Sequence, residues 1–268
     1  NPKVPFLFMW LIIISYFKPI YCEHNTLMST ELRFLKRNRE CFIHHILLFF
    51  FRWGNIRHLA VNDELRRHLC ERGIAESQVY YFQNGLSLPT ITDKSQYDLE
   101  LINRVKQFIL PTSKIAIFVG NGYPWHGLSK IQDLLKEHPD IQLLVVGPYD
   151  SNQPQSNSLF LGNLSAETLY YLFPLCDFAI STFSWDMLSI TEGSPLKTRD
   201  YLGNGLPILV NYYECAADFD ELRPYIFDYR STPTAISDIK SLSYSRETIK
   251  KLAHQYLSWD SIWKNLPY

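Results

Sequence analysis

Two acidic residues eight positions apart, Glu192 and Asp200, bracket Ser194-Pro195 and Lys197. Ser is a favoured N-cap and Pro a favoured first helical residue, so a helix is expected to start at this pair, with Lys197 in its first turn. Gly203-Asn204-Gly205 then stops the helix, and Pro207 opens the apolar run 208–210, which reads as a strand. The first turn of a helix presents free backbone N–H groups and partial positive charge. Adding Lys197 makes an anion site, and the carboxylates beside it suit hydroxyl groups. The combination fits a sugar or ribose joined to phosphate.

The elements that would position these residues follow a repeated pattern of apolar strand, polar or glycine turn, and helix. Strands are expected at 115–119, 141–146, 159–161, 177–181 and 208–210, and helices at 97–110, 127–137, 165–173 and 243–255. This is the alternation of an α/β fold with a parallel sheet. Gly120, Gly147, Gly162, Ser181 and Glu192 fall just after strands, where parallel sheets bind ligands. Upstream, strands are expected at 20–22, 56–61 and 79–82, a helical stretch at 30–53, and a helix start at Asn62-Asp63-Glu64. Residues 5–17 are very apolar but shorter than the roughly 20 residues of a spanning helix. They are expected as a buried strand or helix, with membrane-surface contact as the alternative.

Composition bounds the possibilities. The 268 residues are 46% hydrophobic, which is enough to fill a core, and the formal net charge of -1 offers no global attraction for nucleic acid. The odd set Cys22, Cys41, Cys70, Cys176 and Cys215 has no close pair and reads as free thiols in a reducing compartment. No His, Cys and carboxylate spacing marks a metal site, no elbow motif marks a serine nucleophile, and no Walker pattern marks a P-loop.

Several motifs in order resemble one family. Glu192 and Asp200 have the spacing of a Glu-x7-Glu motif, and Ser194-Pro-Leu-Lys197 with Asp200-Tyr201 resembles a variant common in bacterial surface-polysaccharide enzymes. Phe118-Val-Gly120-Asn121-Gly122-Tyr-Pro-Trp125-His126-Gly127 resembles the strand and loop that contact phosphate. Tyr81-Phe-Gln-Asn84-Gly85 and Leu59-Ala-Val-Asn62 resemble the end of an acceptor domain. The family is that of the retaining glycosyltransferases of GT-B fold, called group 1, glycogen-synthase-like or family 4. The match is good over residues 55–268 and holds in outline over 1–50.

The resemblance implies a GT-B α/β fold: an incomplete Rossmann-like acceptor-side domain over residues 1–88, a nucleotide-sugar-binding domain over 89–245, and a helical segment over 246–268 that packs back toward the first domain. It implies transfer of a sugar from a nucleotide diphosphate sugar, with a UDP or GDP base, to a hydroxyl of a polysaccharide or lipid-linked glycan, with retention. No cofactor or metal is obligatory. The reading places the protein in the cytoplasm at the inner membrane face, with peripheral membrane contact and no nucleic-acid partner. Two alternatives are a GT-B epimerase and an inactive or regulatory module that still binds a nucleotide sugar.

By the same resemblance Glu192, Lys197 and His24 are the catalytic candidates. Asp200 is the ribose ligand, Gly120, Asn121, Gly122, His126, Gly127 and Ser194 lie on the phosphate side, and Gly162-Asn163 lies near the base. The sequence departs from the family in two ways. Asn121 and His126 stand where the donor loop usually has Arg and Lys, and Asp200 replaces the second Glu. Positive charge then falls to Lys197, with Arg199 as a second source. The plainer readings are a solvated loop acid for Glu192 and a surface ion pair between Lys197 and Asp200.

Overall fold

The computed structural model describes residues 4–87, 97–149, 156–264 and 266. The expected boundary at 88/89 and residues 150–155, between the strands expected at 141–146 and 159–161, lie outside the described residues.

The first part contains α1 (Val4–Ser15), β1 (Ile20–His24), α2 (Met28–Phe34), α3 (Asn38–Phe51), β2 (Ile56–Ala60), α4 (Asp63–Glu71) and β3 (Val79–Tyr81). Its strands form a parallel sheet in the order β1-β2-β3. Asn62 caps α4, its side chain accepting from the Leu65 N–H at 2.7 Å, and Leu65 and Leu69 pack with Leu48, Ala60 and Val79. The helical stretch expected over 30–53 is two helices, because Lys36 adopts a left-handed conformation (φ 57°) between them. The leading apolar stretch is a helix. Trp10, Ile13 and Ile14 are exposed, which departs from the expected burial; α1 is apolar all round, so a single buried face cannot cover it. Among the described residues no helix is long and apolar enough to cross a membrane.

The second part runs through α5 (Leu99–Phe108), β4 (Lys114–Val119), α6 (Leu128–Lys136), β5 (Ile141–Val146), β6 (Ser158–Gly162), α7 (Ala166–Leu172) and β7 (Phe178–Ile180). It continues with β8 (Glu192–Gly193), α8 (Leu196–Gly203), β9 (Ile208–Val210), β10 (Tyr213–Glu214), β11 (Ile226–Asp228) and α9 (Ala235–Ser241). Six strands form one parallel sheet in the order β11-β9-β7-β4-β5-β6. Every residue of β5 is buried, as expected for a parallel strand covered on both faces. From β4 the chain winds outward through β5 and β6, then returns to the other side of β4 at β7. The crevice between the carboxyl ends of β4 and β7 is therefore the topological switch point, where ligands of such sheets bind.

Helix α8 begins one residue later than expected. Pro195 is its N-cap, and Ser194 lies before the helix. The Ser194 hydroxyl instead accepts from the Asn84 N–H at 2.9 Å and from Arg199. Two closing helices follow, α10 (Arg246–Leu257) and α11 (Trp259–Lys264). Residues Ile249, Ala253 and Leu257 of α10 pack with Tyr201 and Leu202. Ile262 and Leu266 pack with Leu59 and Phe82 of the first part.

Arg199 sits at the centre of the junction and is fully buried. Its guanidinium donates to Glu214 Oε1 at 2.5 Å, to the Asn84 carbonyl at 2.8 Å, to Gln83 Oε1 at 3.0 Å and to the Ser194 hydroxyl. Glu214 also accepts from Tyr212 at 2.9 Å and from the Ala216 N–H at 3.2 Å. The charge expected to serve a ligand is thus spent on Glu214, which corrects the reading of Arg199 as a second source of positive charge. Removing one partner of such a pair strands the other. We therefore expect Arg199→Met to cost about 3–5 kcal/mol in urea unfolding, and Arg199→Met with Glu214→Leu to cost much less than the sum of the two single changes.

Candidate functional site

Two cavities that share lining residues open at the switch point. The smaller, about 200 Å³, is lined by Asn62, Glu64, Trp125, Glu192, Ser194 and other residues of both parts. The larger, about 620 Å³, takes in Glu23, Gly120, Asn121, Leu196 and Trp259. Its volume is within the range of about 300–1,000 Å³ typical of small-ligand sites. Asn25, Asn84, His126, Pro195 and Lys197 line both.

Lys197 is in the first turn of α8. Its stem is partly exposed, but Nζ is buried and has no hydrogen-bond partner. The nearest compensation is the Phe118 ring, with Nζ 5.3 Å from its centroid. Burial lowers the ammonium pKa to about 7. Among the described residues Lys197 is the only lysine or arginine lining either cavity, whereas Glu23, Glu31, Glu64 and Glu192 are all lining residues.

The loop after β4 is built around His126. Its Nδ1 accepts from the Asn121 N–H at 3.3 Å and lies 3.2 Å from the Tyr149 hydroxyl. Burial first, and then the Lys197 charge, push its pKa down to about 3, so the ring is neutral. Gly120 is required at this point: a Cβ there would lie 2.1 Å from the Tyr149 hydroxyl and 2.7 Å from His126 Nδ1. The ends of β4, β5 and β6 are stacked just as closely. A Cβ on Gly147 would fall 1.8 Å from the Gly120 carbonyl oxygen, and the Gly147 N–H donates to the Gly162 carbonyl at 2.8 Å.

Glu192 belongs to both halves. Its carboxylate accepts from the Glu64 N–H at 2.9 Å, near the start of α4, and meets Arg67 at 3.2 Å. In return Glu64 accepts from the Glu192 N–H at 3.1 Å, and Asn62 donates to the Glu192 carbonyl at 3.0 Å. Glu192 is thus a half-buried junction residue lining a cavity, not a solvated loop acid. Asp200 does not pair with Lys197 and lines neither cavity. Its Oδ1 accepts from Tyr170 at 3.2 Å, and burial raises its carboxyl pKa to about 6.

The structure brings together Gly120, Asn121, His126, Glu192, Ser194 and Lys197. Gly122, Gly127, Gly162, Asn163 and Asp200 lie outside the two linings. His24 also lines neither cavity, although its neighbours Glu23 and Asn25 do; its Nε2 lies 2.9 Å from His58 Nδ1. Asn84, known from the sequence only as part of the stretch resembling the end of an acceptor domain, lines both cavities and donates to the Ser194 carbonyl at 2.5 Å. Trp259, within the helical segment expected over 246–268 and not singled out there, packs on Gly85 and lines the larger cavity.

No family model matches the chain, and no curated protein matches it in sequence. Solved structures do. HepE of Anabaena in complex with UDP is 14% identical, with a TM-score of 0.63 over 94% of this chain and 72% of its own. A glycosyltransferase of Rickettsia africae is 13% identical, with a TM-score of 0.55 over 98% and 80%. Sucrose-phosphate synthase of Thermosynechococcus elongatus is 12% identical, with a TM-score of 0.57 over 90% and 64%. The chain has the α/β GT-B fold, with a six-stranded parallel Rossmann-like sheet.

The cost of burying Lys197 is itself measurable. An unfolded lysine keeps its proton to about pH 10.5, whereas the folded one releases it near 7. Between those values the unfolded state binds more protons, so stability rises with pH. Lys197→Met keeps the stem and removes the charge. We expect it to raise Tm at and below about pH 7 and to flatten the rise between about pH 7 and 9, both read by thermal unfolding without ligand.

Proposed function

We propose that the chain binds a nucleotide diphosphate sugar and transfers its sugar to a hydroxyl acceptor with retention. The observation that carries this is the buried, unpartnered Lys197 Nζ in the first turn of α8, at the switch point of the sheet. The diphosphate neutralises Lys197, against the glycine-lined loop of Gly120 and Asn121, with His126 as a neutral hydrogen-bonding partner. Gly122 and Gly127 set the shape of that loop, while Gly162, Asn163 and Asp200 serve the nucleoside. Glu192 and Ser194 face the sugar from the smaller cavity. In the reaction the bond from the anomeric carbon to the leaving phosphate oxygen breaks, and the acceptor oxygen bonds to that carbon on the same face. The acceptor proton passes to the departing diphosphate. The HepE, Rickettsia africae glycosyltransferase and sucrose-phosphate synthase neighbours support a sugar-transfer reading, the first from structures with UDP or UDP-glucose. A UDP-sugar is therefore the first donor to test. We place the acceptor, a polysaccharide or lipid-linked glycan, on the side of α1 and α3, whose exposed Trp10, Phe42 and Phe49 suit the cytoplasmic face of a membrane.

A second reading, binding without turnover, draws on the neutral His126 and the sequestered Arg199, which leave a single cation for the diphosphate.

UDP at about 100 times its Kd should stabilise the protein by about 2.7 kcal/mol, and Lys197→Met should abolish that gain. If UDP, GDP and ADP all leave Tm unchanged, the donor reading fails. Bound diphosphate holds the proton on Lys197, so UDP affinity should fall as pH rises above about 7, by up to about tenfold per unit. Slow release of free sugar from the donor, lost in Glu192→Ala, marks an enzyme. UDP binding without any such release marks the second reading.

A further inference from the structure

Strand register assembles a second cluster, whose residues line neither cavity. Cys22 and His24 are two apart in β1 and therefore share a face, and the parallel pairing sets Cys22 opposite His58 in β2. One ligating atom from each residue lies within 4.8 Å of the other two. The two imidazoles are stacked, 27° from parallel, with His24 Nε2 and His58 Nδ1 2.9 Å apart.

His58 is fully buried, and its Nε2 has no hydrogen-bond partner. The contact with His24 uses one proton. If that proton is on His58, Nε2 is a bare buried lone pair; if it is on His24, His58 Nε2–H is an unmet donor. Either state typically costs about 1–3 kcal/mol, next to the apolar ring of Phe51 at 6.0 Å. Both nitrogens of His58 are open to a metal, Nδ1 by releasing His24 and Nε2 because nothing holds it. Cys22 and His24 are partly exposed, which provides an entry path.

We propose that Cys22, His24 and His58 bind a divalent transition-metal ion of zinc type, with water in the fourth position. One thiolate and two neutral imidazoles form a borderline-soft donor set that suits zinc. Metal–nitrogen bonds of about 2.0–2.1 Å at a tetrahedral angle need the two nitrogens about 3.3 Å apart, so the rings part slightly on binding. The metal–sulfur bond forms as the thiol proton leaves to solvent, and no electron is transferred. The ion ties β1 to β2 at the point where Glu23 and Asn25 turn toward the cleft. This site is independent of the nucleotide reading.

The metal-free full chain is titrated with Zn2+ against a chromophoric chelator and, separately, with Co2+. We expect one equivalent bound, tetrahedral-type visible bands with Co2+, and a thiolate-to-cobalt charge-transfer band. Cys22→Ser should lose that band, and His58→Gln should weaken binding at least about tenfold. Cys41→Ser is the control, since Cys41 and His45 form the other Cys–His contact, Sγ to Nδ1 3.7 Å. Its spectrum should be unchanged. A wild-type chain with no charge-transfer band overturns the proposal however the variants fold, as does a band that survives Cys22→Ser or disappears in Cys41→Ser.

Discussion

A buried guanidinium must find partners for all its donors, and the junction between the two parts is arranged around that requirement at Arg199. The residue belongs to α8, but Gln83, Asn84 and Glu214 come from either side of the interface. The ion pair with Glu214 lies within the second part, and the bonds from Arg199 to Gln83 and the Asn84 carbonyl cross to the first, so parting the halves there would break them and open the buried pair to water. The hydroxyl of Ser194, drawn to Arg199 and to the Asn84 N–H, is one more part of the same arrangement. The same stretch carries Lys197, whose Nζ is buried beside it without a hydrogen-bond partner.

The consequence is a division of labour between two neighbouring cations on one helix. Arg199, always charged, is neutralised and structural. Lys197, whose charge responds to its surroundings, is left buried without a counter-ion above an aromatic ring. The free protein carries an electrostatic cost in the cleft that an anion would remove. Acidic side chains around the rest of the cavities suit hydroxyl-bearing ligands, and Glu192, tied to the start of α4, couples that wall to the other half.

A second unsatisfied polar atom, His58 Nε2, lies in the first sheet and not in the cleft. Its neighbours are 34 and 36 positions away in the chain. Only the pairing of β1 with β2 makes them a cluster, so no local spacing of His and Cys announces it.

Much of the fold was legible in the residues themselves. Buried parallel strands are continuous apolar runs and their helices carry one apolar stripe, so β4, β5, α6 and α10 stand out at close to their observed bounds. The helix in the stretch 192–207, with Lys197 in its first turn, was also legible, because helix starts and lysine positions are local properties. What a side chain faces is a tertiary property. Local sequence showed the charge of Arg199 but not that Glu214 uses it, and the acidity of Asp200 but not that it turns to Tyr170. It showed the apolar character of α1 but not that Trp10, Ile13 and Ile14 stay exposed. Composition and periodicity determined which elements form, because those depend on near neighbours. Only packing decided which polar groups are satisfied, because burial and long-range partners set that cost.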